Sequence, residues 1–218
     1  EAKRRLKPPK DTHPLPSTLL NDEPVGGPRR RNRGEILDKF LEIRDKDVLR
    51  TFPIIALRHA KAVPADEWDG SDASRPLAPR GRKQANALVG PLLAFGARRI
   101  VSSPAVRCAK TVGPLSAALG RRVDYSPLIS QDAWEEGATD ARSVVGARVR
   151  SRKPAVLCSH GPVLPEIIQE LAMATGSLMG SHLGNASGLS PGGFSVVHLS
   201  TDNPGSGIVA IETHQPSV

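Results

Sequence analysis

Cysteine and aromatic residues are scarce in this chain: two cysteines, one tyrosine, two tryptophans and four phenylalanines among 218 residues. Cys108 and Cys158 stand apart, so they give neither a disulfide framework nor a metal-ligand spacing. Each is expected to be a small core residue. With aromatics at 3%, the core has to be aliphatic, and a hydrophobic content of 39% allows one built from Val, Leu, Ile and Ala. No uncharged apolar run is long enough to cross a bilayer, and the charged N-terminus has no apolar signal core. No carboxylate cluster suited to magnesium is visible. The expectation is a soluble, cytoplasmic protein of one good-sized domain, or one domain plus extras, that needs no metal and no cofactor.

Positive charge is plentiful. The formal net charge is +8, which permits nucleic-acid binding or attraction of phosphorylated ligands. Much of it lies in the first fifty positions. Residues 1–34 are rich in Pro, Gly and charge, with no sustained period, and read as a basic disordered segment, because such composition buries too little to offset ordering entropy. The block Arg29-Arg30-Arg31-Asn32-Arg33 could touch nucleic acid, but a solvated tail is the better reading. Residues 35–51 carry apolar positions compatible with a short amphipathic helix, a linker or the remnant of a preceding domain.

From Phe52 onward, strands and helices alternate. The aliphatic run 53–58 reads as a buried strand, and 80–95 as a helix with Ala85, Leu88, Val89, Leu92 and Leu93 inward. A strand follows at 98–103. The next helix has Gly120 as its stop and Gly113-Pro114 as a kink or break. RRVDYS is a short strand, 138–150 a helix, KPAVLCSHG a strand and LPEIIQELAMAT a helix. GGFSVVHLS and GIVAIETH form a terminal hairpin. This order predicts an α/β domain over 52–214: a mostly parallel sheet, helices on both faces, and a C-terminal hairpin.

In such sheets ligands bind at the carboxyl ends of the strands, and three strand ends carry polar tips: Arg58-His59, Ser102-Ser103-Pro104 with Arg107 just after, and Ser159-His160-Gly161. Brought to one edge, they make a pocket of two imidazoles and two guanidiniums faced by helix N-termini. That is chemistry for phosphoryl transfer through a histidine. Neutral His59 attacks phosphorus, Arg58 and Arg107 hold the phosphoryl oxygens, and His160, if protonated, adds a donor. Ser103 belongs to the same substrate-binding tip.

LRHAKA, SSPAVRCAKT and CSHG resemble the signatures of the histidine phosphatase superfamily, the phosphoglycerate mutase-like fold, in its SixA-like branch. That branch has Arg-His-Ala where the wider family has Arg-His-Gly, and RPLAPRGRKQA is similar to its following segment. The resemblance implies a hydrolase with His59 as nucleophile and Arg58, Arg107 and His160 completing the phosphate pocket, with Lys61 and Arg75 as further substrate-binding candidates. DKDVLRTFPIIALRHAKA and CSHGPVLPEII also resemble proteins in which a MutT-type Nudix domain precedes such a phosphatase. No Nudix box occurs here, so that kinship would make this chain a truncated or remnant version.

Many members supply an acid after the third strand to protonate the leaving oxygen. Here the best register places Gln131 at that position, and an amide cannot donate a proton at neutral pH. Asp132, Glu135 and Glu136 are the neighbouring carboxylates that could substitute, with Glu135 the candidate acid. A missing acid favours leaving groups that depart easily, namely the phosphate of a nucleotide phosphoanhydride or the imidazole of phosphohistidine. The partner is then a phosphorylated small molecule or a phosphohistidine protein, not a nucleic acid or a membrane. The alternative is a degenerate phosphate-binding module with little turnover. His182, His198 and His214 are expected to be structural or on the surface, Glu166 a surface or capping carboxylate, and Trp68 either a lid or a packed loop anchor.

Overall fold

The computed structural model describes residues 50–178 and 180–216, apart from the side chain of His182. The expectations for 1–34 and for the helix starting at 35 fall outside those residues. Thr51, where the sequence pattern ends that helix, instead opens the first strand.

The strands are β1 (Thr51–Arg58), β2 (Arg99–Ser102), β3 (Val123–Tyr125), β4 (Ala155–Ser159), β5 (Phe194–Ser200) and β6 (Ile208–His214). They form one sheet in the order β3-β2-β4-β1-β5-β6. The first four are mutually parallel, and the β5–β6 hairpin adds to β1 in antiparallel fashion. β1 and β4 are buried along nearly their whole length, as interior strands covered on both faces must be.

Side chains of a strand alternate between faces. Ile54 and Ala56 of β1 accordingly pack into one core with Leu157, Ile167, Ile168 and Leu171. Ile55 and Leu57 enter the other core with Leu92, Cys108, Val112 and Leu115. The covering helices are α1 (Pro79–Ala87), α2 (Val89–Ala94) and α3 (Val106–Leu119) on the second face, and α5 (Ala141–Ser151), α6 (Leu164–Thr175) and α7 (Ser181–Ser187) on the first; α4 (Gln131–Glu135) follows β3. On α6 the buried positions Leu164, Ile167, Ile168, Leu171, Ala172 and Thr175 follow the helical stripe.

Three local readings are corrected. The segment 80–95 is two helices meeting at Leu88, where Gly90 and Pro91 interrupt a continuous run. Leu93 is 39% exposed rather than inward, because that break turns it off the buried stripe. Gly113-Pro114 does not end α3, which runs through Pro114 to a left-handed Gly120 cap. The carbonyl that loses its partner to the proline is that of Lys110, an exposed residue, so water can meet it.

Candidate active site

The sheet order sets β2, β4 and β1 side by side, with Arg58 paired to Ser159 and Ser102 to Cys158. Three tips distant in sequence therefore share one carboxyl edge. His59 leaves β1 and is 8% exposed, while Ser103, Arg107 and His160 are fully buried. The imidazoles of His59 and His160 lie 5.3 Å apart between ring centroids.

His59 Nδ1 lies 2.8 Å from the Ala60 carbonyl oxygen. A carbonyl only accepts, so Nδ1 carries the proton and Nε2 keeps its lone pair. Burial pushes the His59 pKa down to about 4; the Ala60 bond pulls it back up, and the charges of Arg107, Arg58 and Arg75 add smaller downward pushes. Burial and Arg107 push His160 down to about 2. Both rings are neutral near pH 7 in the free protein. His160 Nε2 meets Ser103 Oγ at 2.8 Å and Cys108 Sγ at 3.5 Å.

The two guanidiniums differ in setting. Arg58 donates to the Leu189 carbonyl at 2.7 Å and lies against Gly161. A β-carbon on Gly161 would come within 3.1 Å of Arg58 Nη2, so the glycine of the Ser-His-Gly tip makes room for the arginine of the neighbouring tip. Burial lowers the Arg58 pKa from its ordinary value. Arg107 sits on the buried face of α3 beside Cys108, Thr111 and Val112. Thr111 Oγ1 donates to the Arg107 carbonyl at 2.6 Å and accepts from Ala60 N–H at 2.9 Å, which ties the helix carrying Arg107 to the residue after His59. Arg58 Nε, Arg107 Nε and His160 Nδ1 are buried without a hydrogen-bond partner among the described residues, an arrangement that costs free energy unless something anionic or polar meets them.

Sequence reasoning missed the group that Arg107 does meet. Asp72 Oδ2 accepts from Arg107 Nη2 at 2.6 Å, and the Asp72 backbone carbonyl accepts from Nη1. Asp72 Oδ1 accepts from Arg75 Nε at 2.9 Å and Nη2 at 2.7 Å. Burial pushes the Asp72 carboxyl up, but the hydrogen bond from Arg75 and the charge of Arg107 outweigh it and hold the pKa below the ordinary value. Trp68 anchors the same loop, its Nε1 donating to the Ser71 carbonyl and to Ser74 Oγ, both at 3.2 Å. In the sequence Asp72 is one of four acidic residues between 66 and 72, with nothing to set it apart.

The remaining candidates spread outward. Arg75 is near the cup, but its fork is held by Asp72 and the Val63 carbonyl. Lys61 is exposed, with its backbone N–H held by Gln84 Oε1 at 2.9 Å. Gln131 Oε1 accepts from Arg107 Nη2 at 3.1 Å, so the amide reaches the cup. Glu135 accepts from Gln131 Nε2 at 2.9 Å and stands one residue further out. His198 pairs with Glu212 at 2.7 Å, and His214 stacks on Phe194 at 4.8 Å between centroids, both away from the cup. Among the described residues no group of three His, Cys, Asp or Glu side chains could hold a metal ion, and no helix is long and apolar enough to cross a membrane.

The carboxyl edge of the parallel strands thus gathers two imidazoles and two guanidiniums in one place. The model of the histidine phosphatase superfamily (branch 1) matches residues 54–141, a span that holds Arg58, His59 and Arg107. Over that span the chain is similar to that superfamily. An 8-oxo-(d)GTP phosphatase of Mycolicibacterium smegmatis is 33% identical over 142 residues, 61% of this chain and 44% of that protein. The chain thus spans less than half the length of this relative. Among solved structures, the protein histidine phosphatase SixA complexed with tungstate superposes with a TM-score of 0.56 at 17% identity, over 76% of this chain and 97% of that one. A mycobacterial glucosyl-3-phosphoglycerate phosphatase gives 0.55 at 16%, over 78% of this chain and 100% of that one. These two likenesses speak for the fold.

Proposed function

We propose that the domain is a phosphohydrolase working through a phosphohistidine on His59, with Arg58, Arg107 and His160 completing the phosphate pocket and Ser103, Arg75 and Lys61 around the substrate. The observation that carries this reading is the tautomer fixed by the Nδ1 contact to Ala60. It leaves Nε2 of a neutral ring free for attack. The Nε2 lone pair forms the bond to phosphorus while the bond to the leaving oxygen or nitrogen breaks, and the electron pair leaves with that group. Water then attacks the phosphoryl group, the N–P bond breaks, and inorganic phosphate departs. Arg58 and Arg107 neutralise the charge on the transferring oxygens. The charge of a bound dianionic phosphoryl group pulls the His160 pKa back up, so the ring can serve as a charged donor in the complex.

The substrate class follows from the leaving group. Gln131 occupies the position from which an acid would act and cannot give a proton. Glu135 is engaged with Gln131. A leaving group stable as released fits best, hence a nucleotide phosphoanhydride or phosphohistidine. The likeness to an 8-oxo-(d)GTP phosphatase at 33% identity supports the nucleotide. One observation favours a second reading, a phosphate-binding module of low turnover: Asp72 holds the Arg107 fork that a phosphoryl group needs.

Rapid quench with a nucleoside diphosphate labelled in its terminal phosphate separates the two. The first reading predicts acid-labile, base-stable label on the wild-type chain and none on His59→Ala. Label on His59→Ala, or an unlabelled wild type that binds the nucleotide without releasing phosphate, rejects it; the latter result selects the module.

A further inference from the structure

The opposite edge of the sheet carries a second charged cavity that the phosphatase reading does not use. It has a volume of about 700 Å³ and opens where the four parallel strands begin. Each strand is entered through basic residues that line it: Arg50 before β1, Arg98 and Arg99 at β2, Arg121 and Arg122 before β3. Arg152 and Lys153 do the same before β4, making seven cations against one lining carboxylate, Asp124. Among the described residues, Arg98, Arg99, Arg121, Arg122 and Lys153 have no carboxylate within ion-pair distance. Like charges gathered in a concavity repel one another and focus a positive potential into it.

Arg152 adds a separate observation. It caps α5 in the left-handed region, φ 51°, and is the sole non-glycine residue with positive φ among those described. Glycine is the residue that adopts this cap at no steric cost. The guanidinium donates to the Thr201 carbonyl at 3.0 Å, holding the rim of the cavity to the chain just past β5. The backbone cost is accepted and the charge is kept.

We propose that this cavity binds a small oligophosphate, a chain of linked phosphate groups, at a site separate from the histidine cup. The volume fits a small molecule, and the cation density fits several phosphates. The aromatic that lines it, Phe52, is 3% exposed. No stacking platform for bases is therefore offered, which disfavours a nucleic-acid strand. β1 spans eight residues from the cavity to Arg58, roughly 25 Å at the usual strand rise, so one short anion cannot occupy both sites.

The test is calorimetric titration of tripolyphosphate into the full chain carrying His59→Ala, so that the probe is not consumed. The expected result is saturable, salt-sensitive binding that Arg99→Glu/Arg122→Glu weakens at least tenfold and Arg107→Ala changes less than twofold. Arg99→Gln/Lys153→Gln, a gentler pair, is expected to weaken it severalfold with an unchanged melting temperature. The opposite pattern, loss with Arg107→Ala and none with either arginine-edge pair, assigns the binding to the cup and overturns the proposal. Equal affinity for monophosphate, or a single-stranded oligonucleotide binding more tightly than tripolyphosphate, overturns it too. None of these readouts depends on turnover, so they stand apart from the fate of the phosphohistidine reading.

Discussion

Asp72 holds Arg107 at 2.6 Å and shares its other oxygen with Arg75. A carboxylate there mimics one edge of a phosphoryl group, and an incoming phosphate has to share or take over the fork. Asp72→Asn removes the competing charge and keeps the shape. It is expected to tighten inorganic phosphate binding about three- to tenfold. Because it leaves the buried Arg107 with a weaker partner, it also lowers stability by about 1–3 kcal/mol, a melting drop of several degrees. Calorimetric phosphate binding alongside thermal unfolding checks both. Phosphate binding that weakens in Asp72→Asn would show that the carboxylate instead positions Arg107 for the ligand. Residues of this kind are hard to see in a sequence. His59, Arg107 and His160 stood out because each follows an aliphatic strand, whereas Asp72 sits in a loop 35 positions from its partner, where no period applies.

At the level of elements, the strand-and-helix alternation was legible because interior parallel strands are short aliphatic runs and the long helices carry clear stripes. The mostly parallel sheet and its closing hairpin follow from that pattern. Less legible were α4 and α7, too short for a period to register, and the division of 80–95, where local backbone chemistry at Gly90-Pro91 prevails over the apolar spacing that placed Leu93 inward. In the sequence the basic pairs at 98–99 and 121–122 are simply the first residues of two short strand patterns. Their meeting in one cavity depends on sheet order, which periodicity does not encode. Packing between elements also gives a sharp prediction. A β-carbon on Gly81 of α1 would come within 1.9 Å of the Lys61 backbone carbonyl, a contact no rotamer can relieve. Gly81→Ala should cost about 3 kcal/mol or more and, by moving the loop that follows His59, also depress turnover. Urea unfolding beside an assay with a nucleotide substrate tests this. A loss under about 1 kcal/mol would mean that α1 shifts without resistance.

For the molecule as a whole, the buried imidazoles set the response to acid. Both are depressed in the fold, His59 to about 4 and His160 to about 2, from an ordinary 6.5. Below pH 6.5 the unfolded chain takes up protons that the native protein refuses, so stability is fully present above that pH and declines as pH falls toward each folded value. His59 alone contributes on the order of 3 kcal/mol to this decline, and Asp72, whose pKa is also depressed, acts in the same direction. Denaturant unfolding across the acid range should show the loss, and His160→Gln should reduce its slope by close to one proton. An unaltered slope would place the responsible groups elsewhere. The full burial of Arg107 has one more consequence. Its desolvation and rotamer freezing are charged to folding, so a ligand meets a socket already rigid, and the domain has traded resilience of the fold for little entropic resistance at the moment of capture.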